Sequence, residues 1–219
     1  MNANGFEKLH GIDEMDEKQV LTLCRTAEWL TRQKLSGTIE LYRPVKVQTG
    51  RTPRQTGARR IRRTNVMKRI GILGAGTWGM ALARMLTVSG NDVLVWSAIE
   101  KEIDSLSTTR KHPNLPQMKI PDELRFTKSI EEVCKDKDIL LFAVPSVFVR
   151  STAAKARPYV ADGQIIVDVA KGIEPDTLYT MTEILADELG KEGGPKGVRL
   201  VALSGPTHAE EVAIDLPAT

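Results

Sequence analysis

RIGILGAGTWGMALARML, running from Arg69 to Leu86, is the stretch that decides the fold of this 219-residue chain. A short apolar run, Arg69 to Leu73, passes directly into Gly74-Ala-Gly76-Thr-Trp-Gly79 and then into residues with apolar spacing suited to a helix. Strand, glycine turn and helix in that order are the context a dinucleotide-binding turn requires. The first glycine permits the tight turn. The second lets backbone approach a pyrophosphate with no Cβ in the way, and the third lets the helix pack closely on the strand. Phosphate oxygens then meet N–H groups at the helix start, from Thr77 onward, where the helix dipole favours negative charge. The glycine spacing alone also suits an incidental turn, and it is the flanking strand and helix that favour binding. Trp78 has two readings, an indole N–H facing the pyrophosphate or a ring covering apolar surface.

Working outward from this stretch, short apolar runs alternate with helical ones, the signature of βαβ units and a mostly parallel sheet. Strands are expected at Arg69–Leu73, Asp92–Trp96, Asp138–Val144, Gln164–Val169 and Arg199–Leu203. Helices are expected at Thr77–Ser89, Ile99–Ser107, Ser129–Cys134, Val147–Ala156, Thr177–Leu189 and Thr207–Ile214. The fold class is therefore α/β, a Rossmann-like doubly wound sheet with flanking helices over residues 67–219. No internal repeat or low-complexity tract interrupts it.

The first 66 residues differ in character. They carry 13 Lys and Arg against 7 Asp and Glu, whereas residues 67–219 carry 18 against 21, so the net charge of +3 conceals a basic first third. Between Arg51 and Arg69 stand eight basic residues and no acid. Such a run suits a nucleic-acid-binding arm or a solvated linker. The linker is preferred, because no aromatic residue is interleaved to stack bases and Thr, Gly, Pro and Gln dilute the charge. Upstream, Asp16 to Lys34 has one apolar helical face and GTIELYRPVKV has strand-like residues, but two short elements make no core. Residues 1–66 are thus an unassigned extension ending in a basic linker, and Met67 is where a free-standing nucleotide-binding domain would open.

No apolar run is long enough to span a bilayer, and no secretion signal stands at the start. A cytoplasmic protein without membrane insertion is the expectation. Cys24 and Cys134 lack CxxC or Cys/His spacing, so neither a zinc site nor a disulfide framework is suggested, and both are most simply reduced thiols.

An acid normally expected at the end of the second strand, about twenty residues beyond the glycines, would accept from a ribose 2′-OH. Here that strand ends Val95-Trp96-Ser97-Ala98, and no acid occurs until Glu100, already in the next helix. Ser97 suits either ribose, and Arg110 or Lys101 are the cations that would approach a 2′-phosphate. The choice between NAD and NADP stays open.

Further stretches give the glycine turn a substrate: NLP at 114–116, LFAVPSVFV at 141–149, DVAKGIE at 168–174 and LSGPTHAEEV at 203–212. With GAGTWG, in this order and spacing, they resemble the NAD(P)-dependent glycerol-3-phosphate dehydrogenases, the bacterial type in particular. The resemblance spans Met67 to Thr219. It implies an oxidoreductase that interconverts dihydroxyacetone phosphate and sn-glycerol 3-phosphate by hydride transfer with NAD or NADP, for glycerophospholipid synthesis.

Each of these stretches has a physical reading beside the one the resemblance implies. Lys171 follows a buried-looking strand and should sit at the carboxyl end of the sheet, where a cation can polarise a carbonyl, although most lysines are only solvated charges. The resemblance implies that it is one of two active-site lysines, contacting cofactor and substrate. Ser204 to Thr207 closes a strand and opens a helix, a turn that offers N–H groups and a hydroxyl to a ligand or serves as a plain N-cap. By resemblance Gly205 and Thr207 touch the glycerol phosphate and Ala209 lies by the cofactor. His208 stands where many relatives carry an aromatic residue, and no role is carried over to it. Phe148 flanks the dinucleotide by resemblance, with core packing as the rival account. Gly74, Gly76, Thr77, Trp78, Gly79 and Ser97 complete the expected cofactor set.

The family carries its second lysine and its phosphate-gripping residues in a C-terminal helical domain. The chain stops at Thr219, so it reads as a fragment with little or no turnover of its own, and a homodimer is expected only of the full-length protein. Two rival readings are a related dehydrogenase acting on a sugar acid or keto acid, and a non-catalytic dinucleotide-binding module with a nucleic-acid-binding arm.

Overall fold

The computed structural model describes residues 67–205 and 208–216. The expectations for residues 1–66, and for Thr207 in the substrate turn, lie outside the described residues.

Six strands, β1 (Arg69–Leu73), β2 (Asp92–Trp96), β3 (Arg125–Thr127), β4 (Ile139–Phe142), β5 (Ile165–Asp168) and β6 (Arg199–Ala202), form one sheet of order β3-β2-β1-β4-β5-β6. Every neighbouring pair is parallel. The helices are α1 (Thr77–Val88), α2 (Glu100–Thr109), α3 (Ile130–Cys134), α4 (Val149–Ala156), α5 (Met181–Leu189) and α6 (Ala209–Val212). The chain builds outward from β1 to β3, then returns to lay β4 on the other side of β1. That reversal opens a crevice at the carboxyl ends of β1 and β4, the place where this Rossmann arrangement binds its ligands.

The strands read as continuous apolar runs because both faces of the sheet are covered. Ile70, Ile72, Val93, Val95, Ile139, Leu141, Ile165 and Val167 pack with Met80 and Ala83 of α1 and with Ile103 and Leu106 of α2. Leu73, Leu94, Trp96, Leu140, Phe142 and Ile166 pack on the opposite face with Val149 and Ala153 of α4 and with Ile184 and Leu185 of α5. Phe142 is fully buried at the centre of the second cluster, worth roughly 2–3 kcal/mol of burial.

Five strands fall where the sequence pattern puts them, each within two residues at its ends. The sixth, β3, carries no apolar run at all. Its three residues Arg-Phe-Thr are ordered by pairing with Leu94, Val95 and Trp96 of β2 and by an Arg125–Asp92 ion pair of 2.6 Å. An edge strand of this length is set by its neighbour, which periodicity along the chain does not register.

α5 begins at Met181, four residues after its expected start. The N–H and hydroxyl of Thr180 both donate to Glu183 Oε2 at 2.7 Å, fixing the helix start there. Before it, residues 174–179 close into a turn through Glu174 N–H to Tyr179 O and Leu178 N–H to Glu174 O. The segment expected as a helix from Val147 opens as a 3₁₀ turn, Ser146–Phe148, and becomes α-helical at Val149. Cys134 is buried and free, and burial pushes its thiol up to about 12, so it is an inert core residue. Among the described residues no helix is long and apolar enough to cross a membrane.

Candidate functional site

Four backbone hydrogen bonds stitch the carboxyl edge of the sheet. Gly74 N–H donates to Trp96 O at 2.8 Å, Ala143 N–H to Leu73 O at 2.8 Å, Val169 N–H to Phe142 O at 3.1 Å, and Leu203 N–H to Asp168 O at 2.8 Å. Each loop is therefore held at its first residue by the neighbouring strand. The glycine turn, Ser97, and the loops starting at Ala143, Val169 and Leu203 leave the sheet side by side. Segments scattered from Gly74 to Gly205 in sequence share one shelf.

The glycine turn has the geometry its spacing predicts. Gly74 lies in the left-handed region at φ 123°, and a Cβ there would stand 2.6 Å from the Ala143 carbonyl. A Cβ at Gly79 would stand 2.2 Å from Gly74 O, so helix and turn meet backbone to backbone. At Gly76 a Cβ would meet nothing within 4 Å, which leaves backbone open to an approaching ligand. Gly76 is the N-cap of α1, no side chain caps that helix, and no acid occupies its first turn. The N–H groups at Thr77, Trp78 and Gly79 are thus left without a capping side chain next to the open Gly76, and the residues present fit a dinucleotide pyrophosphate. Thr77 and Trp78 are half-buried, and Trp78 packs against the α1 side of the core.

His112 was not singled out by its sequence context, yet it anchors this turn. It is buried, with Nε2 3.2 Å from Ala75 O and Nδ1 accepting the Asn114 N–H at 3.2 Å. The two contacts require a proton on Nε2, which donates to the middle of the glycine turn. A lone histidine before an NLP segment gives no sequence signal of a contact 37 residues away.

Ser97 is buried at the end of β2. Its hydroxyl donates to Glu102 Oε2 at 2.5 Å and accepts the Ile99 N–H at 3.1 Å. The acid missing from the end of the strand is thus delivered from the first turn of α2. Arg110, one of two cations expected near a 2′-phosphate, is committed elsewhere: its guanidinium donates to Leu124 O at 2.6 Å and lies 5.4 Å over the Phe126 ring. Lys101, the other, is exposed.

Lys171 is exposed, and its Nζ donates to Gly205 O at 2.8 Å. That contact joins the DVAKGIE and LSGP segments, which sequence keeps 34 residues apart. A Cβ at Gly172 would stand 2.9 Å from Ser146 Cβ, so the loop after β4 lies against the loop carrying Lys171. Phe148, on that neighbouring loop, is 55% exposed and belongs to no core cluster. Ala209 packs on the same cluster as Trp78, and the segment just after α6 is tied to α1 by a two-pronged Arg84–Asp215 ion pair at 2.8 and 2.6 Å.

Two acids, Asp168 and Glu174, stand at the two ends of the DVAKGIE stretch, and the sequence does not reveal their environments. Glu174 is gripped by Arg150 through two bonds of 2.8 and 2.7 Å and by the Thr177 hydroxyl at 2.6 Å. The Arg150 guanidinium pulls the Glu174 carboxyl down to about 2, and the same guanidinium reaches Asp187 of α5. Asp168 ends β5 buried, accepting the Ala170 N–H at 3.0 Å, and burial pushes its carboxyl up to about 6. Asp168 is thus a desolvated acid at the carboxyl edge, three residues before the exposed Lys171.

A cavity of about 410 Å³ lies at the other edge, lined by Arg69, Asp92, Arg125, Glu131 and Lys135 among others. Its charges neutralise one another, as in the Arg125–Asp92 and Lys135–Glu131 pairs, and it sits at the amino ends of the strands. We therefore place the site on the open shelf and not in this hollow. Among the described residues no cluster of three metal-ligating side chains occurs.

The family model described as the N-terminus of NAD-dependent glycerol-3-phosphate dehydrogenase matches residues 69–219. The second NAD(P)+ glycerol-3-phosphate dehydrogenase of Lactobacillus delbrueckii subsp. bulgaricus is 68% identical over 153 residues, covering 70% of this chain and 45% of that protein. The NAD(P)+ glycerol-3-phosphate dehydrogenase of Agathobacter rectalis is 47% identical over 154 residues, covering 70% of this chain and 44% of that protein. Among solved structures, glycerol-3-phosphate dehydrogenase from Coxiella burnetii superposes with a TM-score of 0.58 at 29% identity, over 68% of this chain and 44% of that one. The chain spans somewhat under half the length of the curated relatives it matches.

Proposed function

Since the chain belongs to the family of NAD-dependent glycerol-3-phosphate dehydrogenases, whose N-terminal part it matches, we propose that it forms the dinucleotide-binding half of an enzyme interconverting dihydroxyacetone phosphate and sn-glycerol 3-phosphate. One observation carries this reading: the Lys171 amine and the Gly205 carbonyl lie 2.8 Å apart on the shelf that begins at the glycine turn. The nicotinamide, when bound, supplies or accepts the hydride exchanged at the substrate carbon. The protein's own residues hold the reactants. The open backbone at Gly76 and the N–H groups of Thr77, Trp78 and Gly79 take the pyrophosphate, with Gly74 shaping the turn. Ser97 meets the adenosine ribose. Exposed Phe148 flanks the dinucleotide, with Ala209 beside it. Lys171 orients and polarises the substrate oxygen, which stabilises the charge that develops there as hydride moves. Gly205 and Thr207 contact the phosphate-bearing substrate.

The product feeds glycerophospholipid synthesis on this reading. Residues 67–219 act as the dinucleotide domain, with residues 1–66 as an extension ending in a basic linker. A cytoplasmic location and a homodimer of the full-length protein belong to the same proposal.

The test joins this chain to the C-terminal half of the Lactobacillus relative and follows dihydroxyacetone phosphate-dependent oxidation of NADH. Lys171→Ala should lower kcat by about a hundredfold or more while leaving NADH affinity within a few fold. Unchanged turnover would remove Lys171 from the reaction and this function with it.

A further inference from the structure

The end of β2 offers a second reading that no spacing in the sequence contains. We propose that the Ser97–Glu102 pair is a selectivity device that admits the unmodified ribose of NAD and turns away the 2′-phosphate of NADP. The inference rests on the dinucleotide reading of the site given above.

The argument is a count of protons. The Ser97 hydroxyl has one, and it is spent on Glu102 Oε2 at 2.5 Å. The Ile99 N–H, which faces this hydroxyl, is spent on Ser97 Oγ at 3.1 Å. What the Ser97–Glu102 pair itself leaves to a ligand is acceptor capacity, on the serine oxygen and on both carboxylate oxygens of Glu102. A ribose hydroxyl can donate to such a corner. A phosphate dianion cannot, because it brings only acceptors and like charge, and like charge this close disfavours it.

Around the pair, the charges reinforce the choice. α2 carries Glu100, Glu102 and Asp104 on its first turns, and the cation facing them, Lys128, is bound to Asp104 at 2.7 Å and lies 3.6 Å from Glu100. Arg110 is turned away onto the carbonyls of Pro121, Asp122 and Leu124. Lys101 is the remaining exposed cation on this turn. It stands between two acids in sequence, and an ammonium on a flexible stem gives a 2′-phosphate one point charge in place of a fixed set of donors.

The experiment titrates the 219-residue chain with NADH and with NADPH, read by the change in nicotinamide fluorescence, and repeats the comparison with ADP-ribose and 2′-phospho-ADP-ribose by calorimetry. The chain should bind NADH at least about tenfold more tightly than NADPH, with the same order for the two ADP-riboses. Glu102→Gln keeps the shape, removes the charge and can donate, so it should bring the two nucleotides within about threefold of each other, chiefly by tightening NADPH. Glu102→Lys should reverse the order and guards against a chance packing effect in the first variant. Equal affinity of the unaltered chain for both nucleotides overturns the proposal, as does an NADH to NADPH ratio that neither variant moves. If a folded chain binds neither nucleotide, this inference and the dinucleotide reading fall together; if both bind with equal affinity, only this inference falls.

Discussion

Gly76 and Gly79 stand three residues apart and face opposite kinds of surroundings. At Gly79 an added methyl would drive into the Gly74 carbonyl at 2.2 Å, and backbone cannot give way as a flexible side chain would. Gly79→Ala should therefore cost about 2–4 kcal/mol of stability, read by denaturant unfolding. At Gly76 the same methyl enters open space from a backbone conformation that alanine adopts freely. Gly76→Ala should leave the unfolding midpoint nearly unchanged and weaken NADH binding by about tenfold or more, because its Cβ occupies the volume a pyrophosphate needs. A Gly76→Ala chain that binds NADH normally would move the pyrophosphate off this turn. The tight turn at Gly74 and the close packing at Gly79 were legible in the sequence, since spacing and flanking elements state them. His112 and Glu102 were not, because each acts through a partner that only folding supplies.

The loop that leaves β5 is organised by two acids with opposite environments. Glu174 is stabilised as a carboxylate by Arg150, whereas Asp168 is buried with one N–H for company, and its carboxyl is raised to about 6 from a usual value near 4. The sign follows from proton counts. Between these two values the folded state holds more protons at Asp168 than the unfolded chain does, so this residue's contribution to stability falls as pH rises through the window. Above pH 6 the penalty is fully present. Asp168→Asn keeps the acceptor for Ala170 and carries no charge. It should stabilise the chain by about 1–3 kcal/mol at pH 8 and by little at pH 4, measured by unfolding at the two pH values. Equal effects at both would show that Asp168 is ionised freely in the fold. The expected helix from Thr177 also belongs to this scale. Its apolar spacing continued through residues 177–180, but Glu174 captures those residues in a turn and Thr180 caps the helix later.

Across the whole molecule, the dinucleotide shelf draws on five separate loops, so ligand binding should couple to global unfolding and not to one loop alone. With NADH at a hundred times its dissociation constant, the folded state gains about 2.7 kcal/mol, which should raise the midpoint of a cooperative thermal transition by roughly 5–10 °C for a domain of this size. A melt unmoved by saturating NADH would contradict that coupling. The order β3-β2-β1-β4-β5-β6 explains why the shelf is continuous: the reversal beside β1 puts the glycine turn between the loops carrying Ser97 and Phe148, with Lys171 one strand further on.

The sequence by itself determined the α/β class, five of the six strands, the glycine turn with its close contacts at Gly74 and Gly79, and the family to which residues 69–219 belong. These are matters of local spacing, where the period of apolar residues and the positions of glycines are written along the chain. Only the tertiary structure decided the edge strand β3, the seat of His112 under the glycine turn, the grip of Arg150 on Glu174 and the pairing of Ser97 with Glu102. β3 and the contacts of His112 and Arg150 depend on residues more than twenty positions apart being brought within hydrogen-bonding distance. The Ser97–Glu102 contact spans five residues, yet it needs the turn between β2 and α2 to aim the carboxylate back at the strand end. Proximity of that kind comes from the parallel register of the sheet, and no linear pattern encodes it.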